Sequence, residues 1–280
     1  MPELPEVETQ VRDLQVLVDH KICDVTTDTE KSFTPKFADF RAEIRNKKIL
    51  AIGRRAKFLV FTLTKNFKMV IHFRMTGHFL LAKNSEPLEK MVRHQFKLRP
   101  STPARQPVFT WLQFSDIRKF ATIELIAPGA KSASLEKLGV EPLDKNFTFP
   151  VFREIVKSRR GKLKAFLLDQ RNVVGIGNIY ADEICFGAGL HPASEIQNLS
   201  KKDLENLFRE IKKQLRKGVR NRGTTIGEYR DTQGKGGSNQ LSLMAYKRHG
   251  LECKVCGEKM KKIKIVQRTT SFCPKCQRQK

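Results

Sequence analysis

Four cysteines near the C-terminus constrain the fold of that region more than any other feature of the chain. Cys253 and Cys256 form one C-x2-C pair, and Cys273 and Cys276 form a second pair after sixteen intervening residues. Each pair can present two thiolates to one ion from a tight turn, so two pairs complete a closed tetrahedral site of the zinc-ribbon type. Disulfides are the alternative, but the sequence shows no export signal and has enough apolar residues for a large core, which disfavours them. We therefore expect one structural Zn²⁺ ion per chain.

The charge of the chain indicates the class of partner. Lys and Arg number 54 against 29 Asp and Glu, for a formal net charge of +25. Such an excess concentrates polyanions around a protein, so nucleic acid is the expected partner, with a ribosome-associated or merely solvated basic surface as the alternatives. The basic residues are spread along the chain and no apolar stretch reaches the length of a membrane span, so we expect no membrane association and an intracellular location.

The first half of the chain has the pattern of a β domain. Short runs rich in β-branched and aromatic residues recur from Cys23 to about Leu125, as in KILAIGRRAKFLVFTL, and predict an antiparallel sandwich or barrel. An amphipathic helix is expected before them, because Val7, Val11, Leu14 and Val18 recur at helical spacing. The stretch AKNSEPLEKMVRHQFKLRPSTPARQP is polar and contains prolines, which predicts a long loop or an inserted excursion.

The second half has a helical pattern. Ser200 and Asp203 form a capping-box pattern ahead of a helix whose apolar face carries leucines, a phenylalanine and an isoleucine. A glycine-rich segment, RGTTIGEYRDTQGKGGSNQ, follows it and is expected to be mobile. Further upstream, VVGIGNIYADE predicts a glycine-containing turn that leads into a helix near Asn178. That turn could bind a phosphate at the helix N-terminus or serve local structure alone, and the two interpretations have equal weight.

Four separated motifs resemble the formamidopyrimidine-DNA glycosylase family. They are PELPEVE at the N-terminus, RRAKFLVF, LLDQRNVVGIGNIYADE and the four-cysteine module, and they occur in the family's order. The resemblance implies a multidomain α+β fold. Its expected parts are an antiparallel β-sandwich with a leading helix over residues 1–130, a helical helix-two-turn-helix domain over 131–240, and a zinc-ribbon finger over 241–280.

The resemblance also implies an activity. Members are bifunctional enzymes of base excision repair that remove oxidised purines, chiefly 8-oxoguanine and formamidopyrimidines, and then cut the strand at the abasic site by β,δ-elimination. The expected partner is damaged double-stranded DNA, and the chain is expected to act as a nucleoid-associated monomer.

The catalytic residues implied by the resemblance lie at the N-terminus. Removal of Met1 would leave Pro2 as a secondary amine, and an α-amino group titrates near about 7.8 against about 10.4 for lysine, so more of it is nucleophilic at neutral pH. Glu3 corresponds to the general acid/base and Glu6 to a supporting carboxylate. Taken alone, both glutamates could simply favour the start of the following helix through its dipole.

The remaining site residues implied by the resemblance contact DNA. Lys57 corresponds to a lysine that binds a phosphate beside the lesion, although an exposed strand-end lysine would be the simpler interpretation. Met75 and Phe120 would be core residues without the resemblance. The set comprises a trio that fills the void left by a flipped base, Met75, Arg118 and Phe120, and two phosphate ligands, Asn178 and Arg268.

The chain departs from the family pattern at several positions. Ala121 and Lys247 stand where glycine is usual, Asn239 stands where an aromatic residue is usual, and the loop between Leu81 and Val108 is long and basic. These departures bear on lesion preference more than on catalysis. Two other functions stay open: an endonuclease VIII-like glycosylase for oxidised pyrimidines, and a non-catalytic zinc-ribbon protein that binds nucleic acid.

Overall fold

The computed structural model describes residues 1–100 and 109–280, which form two compact units. The first unit comprises residues 1–136 and 221–238, and the second comprises residues 137–220 and 239–280. The segment 221–238 therefore belongs with the N-terminal part of the chain, although it directly follows a helix of the second unit. The three-domain division expected from the sequence, with boundaries after residues 130 and 240, stays a prediction.

The first unit is built mainly of strands. Its helices and strands are α1 Leu4–Leu14, β1 His20–Thr27, β2 Phe33–Thr34, α2 Phe37–Ile44, β3 Ile49–Arg55, β4 Phe58–Leu63, β5 Lys68–His72, β6 His78–Ala82, β7 Val92–Pro100, β8 Trp111–Ser115, β9 Thr122–Ile126 and α3 Ala133–Glu136. One sheet has the order β1-β7-β8-β6, and the other has the order β2-β9-β5-β4-β3. Their pairings are antiparallel apart from the short parallel pair β2–β9.

Side chains of both sheets and of α1 share one hydrophobic core. Leu59 and Phe61 enter it from one sheet and Phe96 and Phe114 from the other, and all four are buried. The predicted leading helix is present, with Val7, Val11 and Leu14 on its buried face. It ends at Leu14, and a short 3-10 turn follows, so Val18 lies beyond it.

The polar stretch predicted to be a loop contains a strand, so that prediction was wrong. Strand β7 spans nine residues within it and pairs with both β1 and β8. His94, Phe96 and Leu98 alternate toward the core, whereas Lys97 and Arg99 are exposed. This period of two was obscured because one inward position is a histidine and because prolines and polar residues flank the run. Residues 101–108 of the same stretch lie outside the described residues.

The second unit is helical and ends in a small hairpin. Its elements are α4 Phe149–Lys157, α5 Leu163–Leu168, α6 Asn178–Gly187, α7 Lys201–Arg220, β10 Lys261–Ile265 and β11 Arg268–Phe272. The expected capping box begins α7, because Ser200 Oγ accepts from the Asp203 amide while the Asp203 carboxylate accepts from the Ser200 amide. Leu204, Leu207 and Ile211 form its buried face.

None of the described helices combines the length and the apolar character needed to cross a bilayer.

Candidate active site and nucleic-acid interface

The N-terminal motif folds as a capping box that begins α1. Glu3 is the N-cap: its backbone N–H donates to Glu6 Oε2 at 2.7 Å, and its side chain accepts from the backbone N–H of Glu6. Pro5 occupies the first turn, where its missing N–H leaves no helical bond unmade. Both glutamates are buried, with exposed fractions of 2% and 1%, and Pro2 is buried directly ahead of them. The structure thus brings Pro2, Glu3 and Glu6 together.

The other oxygen of the Glu6 carboxylate binds the 221–238 segment. Glu6 Oε1 accepts from the Thr224 backbone N–H at 2.7 Å, and the Tyr229 hydroxyl donates to the Glu6 carbonyl at 3.3 Å. Gly223 has a φ of 86°, and a Cβ there would lie 2.8 Å from Glu6 Cγ. Two features therefore disfavour a side chain at position 223: the left-handed backbone conformation and the close approach of Glu6. No pattern in the sequence pointed to Thr224 or Tyr229. The glycine at position 223 was a local sign that another part of the chain approaches this backbone closely.

Lys57 lies in the two-residue turn that joins β3 to β4. The turn begins with Ala56 at a φ of 55°, and the flanking residues Arg55 and Phe58 are paired. Only 7% of Lys57 is exposed, so the alternative of an exposed strand-end lysine was wrong. A buried lysine in a hairpin turn is held in a defined place, as a phosphate ligand must be.

His72, at the end of β5, lies near the charges of Lys57 and Arg74, and no pattern in the sequence pointed to it. Burial, the Arg74 charge and the Lys57 charge together lower the pKa of His72 to about 3, so its imidazole is neutral near pH 7. Its Nδ1 accepts from the Arg74 backbone N–H at 2.9 Å, which leaves the proton on Nε2. Its ring meets Phe58 edge-on at 4.6 Å. The arrangement offers a neutral donor beside the cation of Lys57.

Two loops of the first unit carry Met75, Arg118 and Phe120. Hydrogen bonds to Asp116 connect the two loops. The Thr76 hydroxyl donates to Asp116 Oδ1, and Asp116 Oδ2 accepts from the Ala121 backbone N–H at 2.9 Å. The Arg118 guanidinium lies 4.8 Å from the centre of the Phe120 ring. Phe120 is 52% exposed, so it is not a core residue. An exposed phenylalanine stacked with an arginine is suited to contact with bases.

In the second unit, the start of α6 lies against the start of β11. Asn178 is the first residue of α6 and its Nδ2 donates to the Thr269 carbonyl at 3.3 Å. Arg268 follows a tight turn at Val266 and Gln267, both of which have positive φ, and its side chain is exposed. Asn178 and Arg268 line one cavity of about 400 Å³, so the structure brings the two expected phosphate ligands together.

A buried ion pair supports this part of the second unit. The Lys164 Nζ donates to Asp182 Oδ1 at 2.6 Å and to Thr270 Oγ1 at 2.8 Å, and Asp182 Oδ2 accepts from the Ser271 backbone N–H at 3.2 Å. Burial raises the pKa of Asp182 to about 7, and the Lys164 ammonium opposes that rise. The pair therefore ties α5 and α6 to β11, next to Arg268. No local pattern in the sequence signals it.

The four C-terminal cysteines form one cluster. Their Sγ atoms all lie within 4.8 Å of one another, with Cys256 and Cys273 3.5 Å apart and Cys253 and Cys276 3.9 Å apart. A tetrahedral ion with Zn–S bonds of about 2.3 Å separates its ligands by about 3.8 Å, so the cluster fits one Zn²⁺. Disulfide sulfurs would be about 2.05 Å apart, so the disulfide alternative was wrong.

The three departures from the family pattern occupy structured positions. Ala121 and Asn239 are buried, and the Asn239 amide donates to the Tyr180 hydroxyl at 3.4 Å. Lys247 has a φ of 59°, in the left-handed region that glycine adopts at no steric penalty, and it lines the cavity of Asn178 and Arg268. The substitution of lysine for glycine adds a cation there.

Three family models match successive parts of the chain. The formamidopyrimidine-DNA glycosylase N-terminal domain matches residues 1–123, the H2TH domain of the same enzymes matches residues 138–230, and the zinc finger found in FPG and IleRS matches residues 250–279. The last match and the cysteine geometry agree on one structural zinc ion.

Full-length relatives and solved structures agree with these matches. The chain is 36% identical to a formamidopyrimidine-DNA glycosylase of Pelotomaculum thermopropionicum, with both chains covered completely, and 39% identical to one of Bacillus licheniformis, with 99% and 100% covered. It superposes on the Lactococcus lactis Fpg in complex with DNA containing an abasic site, with a TM-score of 0.88, 33% identity, and 99% and 100% of the chains covered. A MutM structure with DNA containing carbocyclic 8-oxo-G gives the same values. The chain therefore belongs to the formamidopyrimidine-DNA glycosylase family.

Proposed function

We propose that this chain excises oxidised purines from double-stranded DNA with Pro2 as the nucleophile and then cuts the strand at the resulting abasic site. Family membership makes it a DNA glycosylase of base excision repair with AP lyase activity. The observation that carries the residue assignment is the capping box, which holds two buried carboxylates directly beside Pro2.

Base excision begins once Met1 is removed and Pro2 has a free amine. The lone pair of the proline nitrogen attacks the sugar C1′, and the bond from C1′ to the base breaks, so its electron pair leaves with the base. The nitrogen then loses its proton, and a proton neutralises the departing base. Glu3 donates a proton to the ring oxygen O4′ as the ring opens, and the secondary amine becomes a cationic iminium. The two-sided hydrogen bonding of Glu6 keeps the first turn of α1 in place during this step.

Strand cleavage follows from the iminium. The cation withdraws electrons and acidifies the C2′ proton, so a base can remove it while the 3′ phosphate departs. A second elimination expels the 5′ phosphate, and water then releases the sugar fragment from Pro2. Glu3, which is bonded to Pro2 and deprotonated in the first step, can assist these proton transfers together with water.

The other residues hold the DNA in our proposal. Lys57, Asn178 and Arg268 bind backbone phosphates near the lesion, where fixed cations and donors offset the charge that develops. Three side chains enter the stack where the base has left it: the partly buried Met75 and the exposed Arg118 and Phe120. A DNA substrate leads us to expect an intracellular and nucleoid-associated location, which stays a prediction.

Oxidised purines are the proposed lesions. The related structures include Lactococcus lactis Fpg bound to Fapy-dG DNA and MutM bound to DNA containing an 8-oxo-G analogue. The N-terminal PELPE motif supports the purine-directed branch over the endonuclease VIII-like one.

Borohydride trapping tests the proposal. The native protein, incubated with a duplex carrying one 8-oxoguanine, should form a covalent cross-link that maps to the N-terminal peptide, because borohydride reduces the iminium to a stable amine. A matched duplex with one oxidised pyrimidine should cross-link more slowly. Faster reaction with the pyrimidine would favour the endonuclease VIII-like function, and no cross-link with either duplex would favour a binding protein.

Two variants serve as controls for the residue roles. A retained Met1 should abolish the cross-link, because the proline nitrogen is then an amide whose lone pair is delocalised. Glu3→Gln should bind DNA but lose base excision. It should still cleave a preformed abasic site, where the glycosidic bond is already absent and water can accept the protons released in the eliminations, although more slowly than the native protein. A cross-link that maps to an internal lysine would contradict the role of Pro2.

A further inference from the structure

The 221–238 segment is fixed to α1 by a series of hydrogen bonds. The Gln10 amide donates to the Arg230 carbonyl at 2.9 Å, and the Tyr229 hydroxyl donates to the Glu6 carbonyl and to the Arg222 carbonyl. With the bond from the Thr224 amide to the Glu6 carboxylate, these contacts run along the first two turns of the helix. The conformation of this segment therefore determines where one oxygen of Glu6 is held.

Arg222 lies between two carboxylates at the start of the segment. Its Nη2 is 2.6 Å from Asp13 Oδ2 on α1 and 2.7 Å from Asp231 Oδ2 within the segment. The hydrogen bonds that Arg222 donates to Asp13 and to Asp231 raise the pKa of Arg222 above its usual value. The Arg222 side chain is 48% exposed, but the Asp231 side chain is only 4% exposed. The ion pair between Arg222 and Asp231 is therefore shielded from water on the Asp231 side.

Both aspartates have further roles that fix the cluster. Asp231 Oδ1 accepts from the backbone N–H groups of Gln233 and Lys235, each at 2.9 Å. Asp13 Oδ2 also accepts from the Thr232 hydroxyl at 3.1 Å. We call these three residues, Arg222, Asp13 and Asp231, the arginine clamp.

The backbone at the clamp is in an unfavourable conformation. Arg222 has a φ of 55°, and Gly223 follows with a φ of 86°. A residue that has a Cβ atom prefers a negative φ. An arginine in the left-handed region therefore persists only where its surroundings hold it there. The clamp supplies that restraint, and the two left-handed residues turn the Thr224 N–H toward Glu6.

We propose that Arg222 is a positioning residue for catalysis, acting through Thr224 and Glu6 on Pro2. The chain of contacts runs from the clamp to the left-handed turn, from the Thr224 amide to Glu6 Oε1, and from Glu6 Oε2 to the amide of Glu3, the residue bonded to Pro2. This inference rests on the proposed function of Pro2. If the clamp served stability alone, its removal would lower the unfolding free energy without altering a chemical step.

Single-turnover kinetics on an 8-oxoguanine duplex test the proposal. Arg222→Gly removes the clamp but tolerates the positive φ, so the backbone conformation stays accessible. Asp13→Asn weakens one arm and leaves the segment sequence intact. We expect both variants to lower the rate constant of base excision, Arg222→Gly by about tenfold, while affinity for an undamaged duplex changes by less than about twofold.

A double-mutant cycle separates positioning from stability. If Arg222 acts through Glu6, Arg222→Gly should slow the Glu6→Gln variant far less than it slows the native protein, because an amide accepts at only one of its two atoms. Arg222→Lys should restore part of the rate, since an ammonium can hold one carboxylate. Arg12→Ala is the matched control. The Arg12 side chain is 62% exposed and pairs with Glu8 on the same helix at 3.0 Å, so its removal should leave the rate unchanged.

The outcomes distinguish this inference from the proposed function. A rate for Arg222→Gly within about twofold of the native rate, or full additivity with Glu6→Gln, would overturn the positioning role while borohydride trapping at Pro2 remained intact. Failure of the native protein to cross-link at Pro2 would instead overturn the proposed function. Equal loss of rate in Arg12→Ala would show a general effect on α1 and would also overturn the inference.

Discussion

His94 illustrates how burial sets the charge of single residues in this protein. It lies on β7 in the core of the first unit, with its Nδ1 2.7 Å from the Thr27 hydroxyl and its ring stacked on Phe114 at 5.4 Å. Burial lowers the pKa of His94 to about 4, against the opposing charges of Asp28 and Asp116. The native structure therefore holds a neutral imidazole where an unfolded chain would take up a proton near pH 6.5.

This difference predicts an acid-sensitive stability. As the pH falls from about 6.5 to about 4, the unfolded state binds a proton at His94 that the folded state does not, so the unfolding free energy decreases. His94→Gln should reduce the slope of that decrease by up to about 1.4 kcal/mol per pH unit, because glutamine does not titrate. Denaturant unfolding at several pH values measures the slope. An unaltered slope in His94→Gln would contradict this prediction.

The zinc-binding element depends on contacts outside its own hairpin. The Glu183 carboxylate on α6 accepts from the backbone N–H groups of Met244, Ala245 and Tyr246, which lead into the module. The Gln277 amide donates to the Leu190 carbonyl at 2.9 Å near its end. Metal binding and these contacts together fix the turn that carries Arg268.

Loss of the metal should therefore disable DNA binding without unfolding the β unit. Cys253→Ser removes one thiolate, so we expect loss of the bound zinc and weaker binding to duplex DNA, because Arg268 is no longer held. Metal analysis, DNA titration and circular dichroism check the three parts of this expectation. Cys23→Ser, outside the cluster, should retain the zinc. A native protein purified without zinc would contradict the assignment.

The net charge of +25 acts at the scale of the whole molecule. Each phosphate neutralised by a lysine or arginine releases condensed counterions, so affinity falls as salt rises whatever the sequence of the DNA. Specific recognition must come from the smaller set of residues near the lesion, since the general charge is the same for damaged and undamaged duplexes.

Salt titration separates these two contributions. The logarithm of the association constant should fall linearly with the logarithm of salt concentration, and Arg268→Ala should reduce the slope by about one. Lys57→Ala should lower turnover more than it lowers affinity for undamaged DNA, because Lys57 is placed to act near the reacting sugar. An affinity indifferent to salt would contradict the role given to the charge.

Local patterns in the sequence predicted a large part of the fold and of the candidate site. The cysteine spacing predicted the metal cluster, and the helical spacing of Val7, Val11 and Leu14 predicted a helix in the segment that follows PELP. The capping box at Ser200 was equally local. The capping box and each C-x2-C pair depend on residues within a few positions of one another, where chain connectivity sets the distance. The two cysteine pairs are sixteen residues apart, but their spacing is a known zinc-ribbon pattern.

Strand β7 and the buried networks could not be predicted in this way. The histidine on the inward face of β7 and the prolines that flank the strand hid its alternation, and the strand is stabilised by pairing with β1 and β8. The resemblance to a family directed attention to Lys57 and Arg268, but not to Asp116, Lys164 or Asp182, whose partners are distant in sequence.

The sequence by itself determined the chemistry available to this protein: an amine at Pro2, two carboxylates beside it, four thiolates for zinc and an excess of cations. Only the tertiary structure decided how that chemistry is held. Glu6 and Thr224 are 218 residues apart, and their hydrogen bond exists because the 221–238 segment packs against α1. Such contacts follow from burial and shape over the whole unit, which no pattern of neighbouring residues encodes.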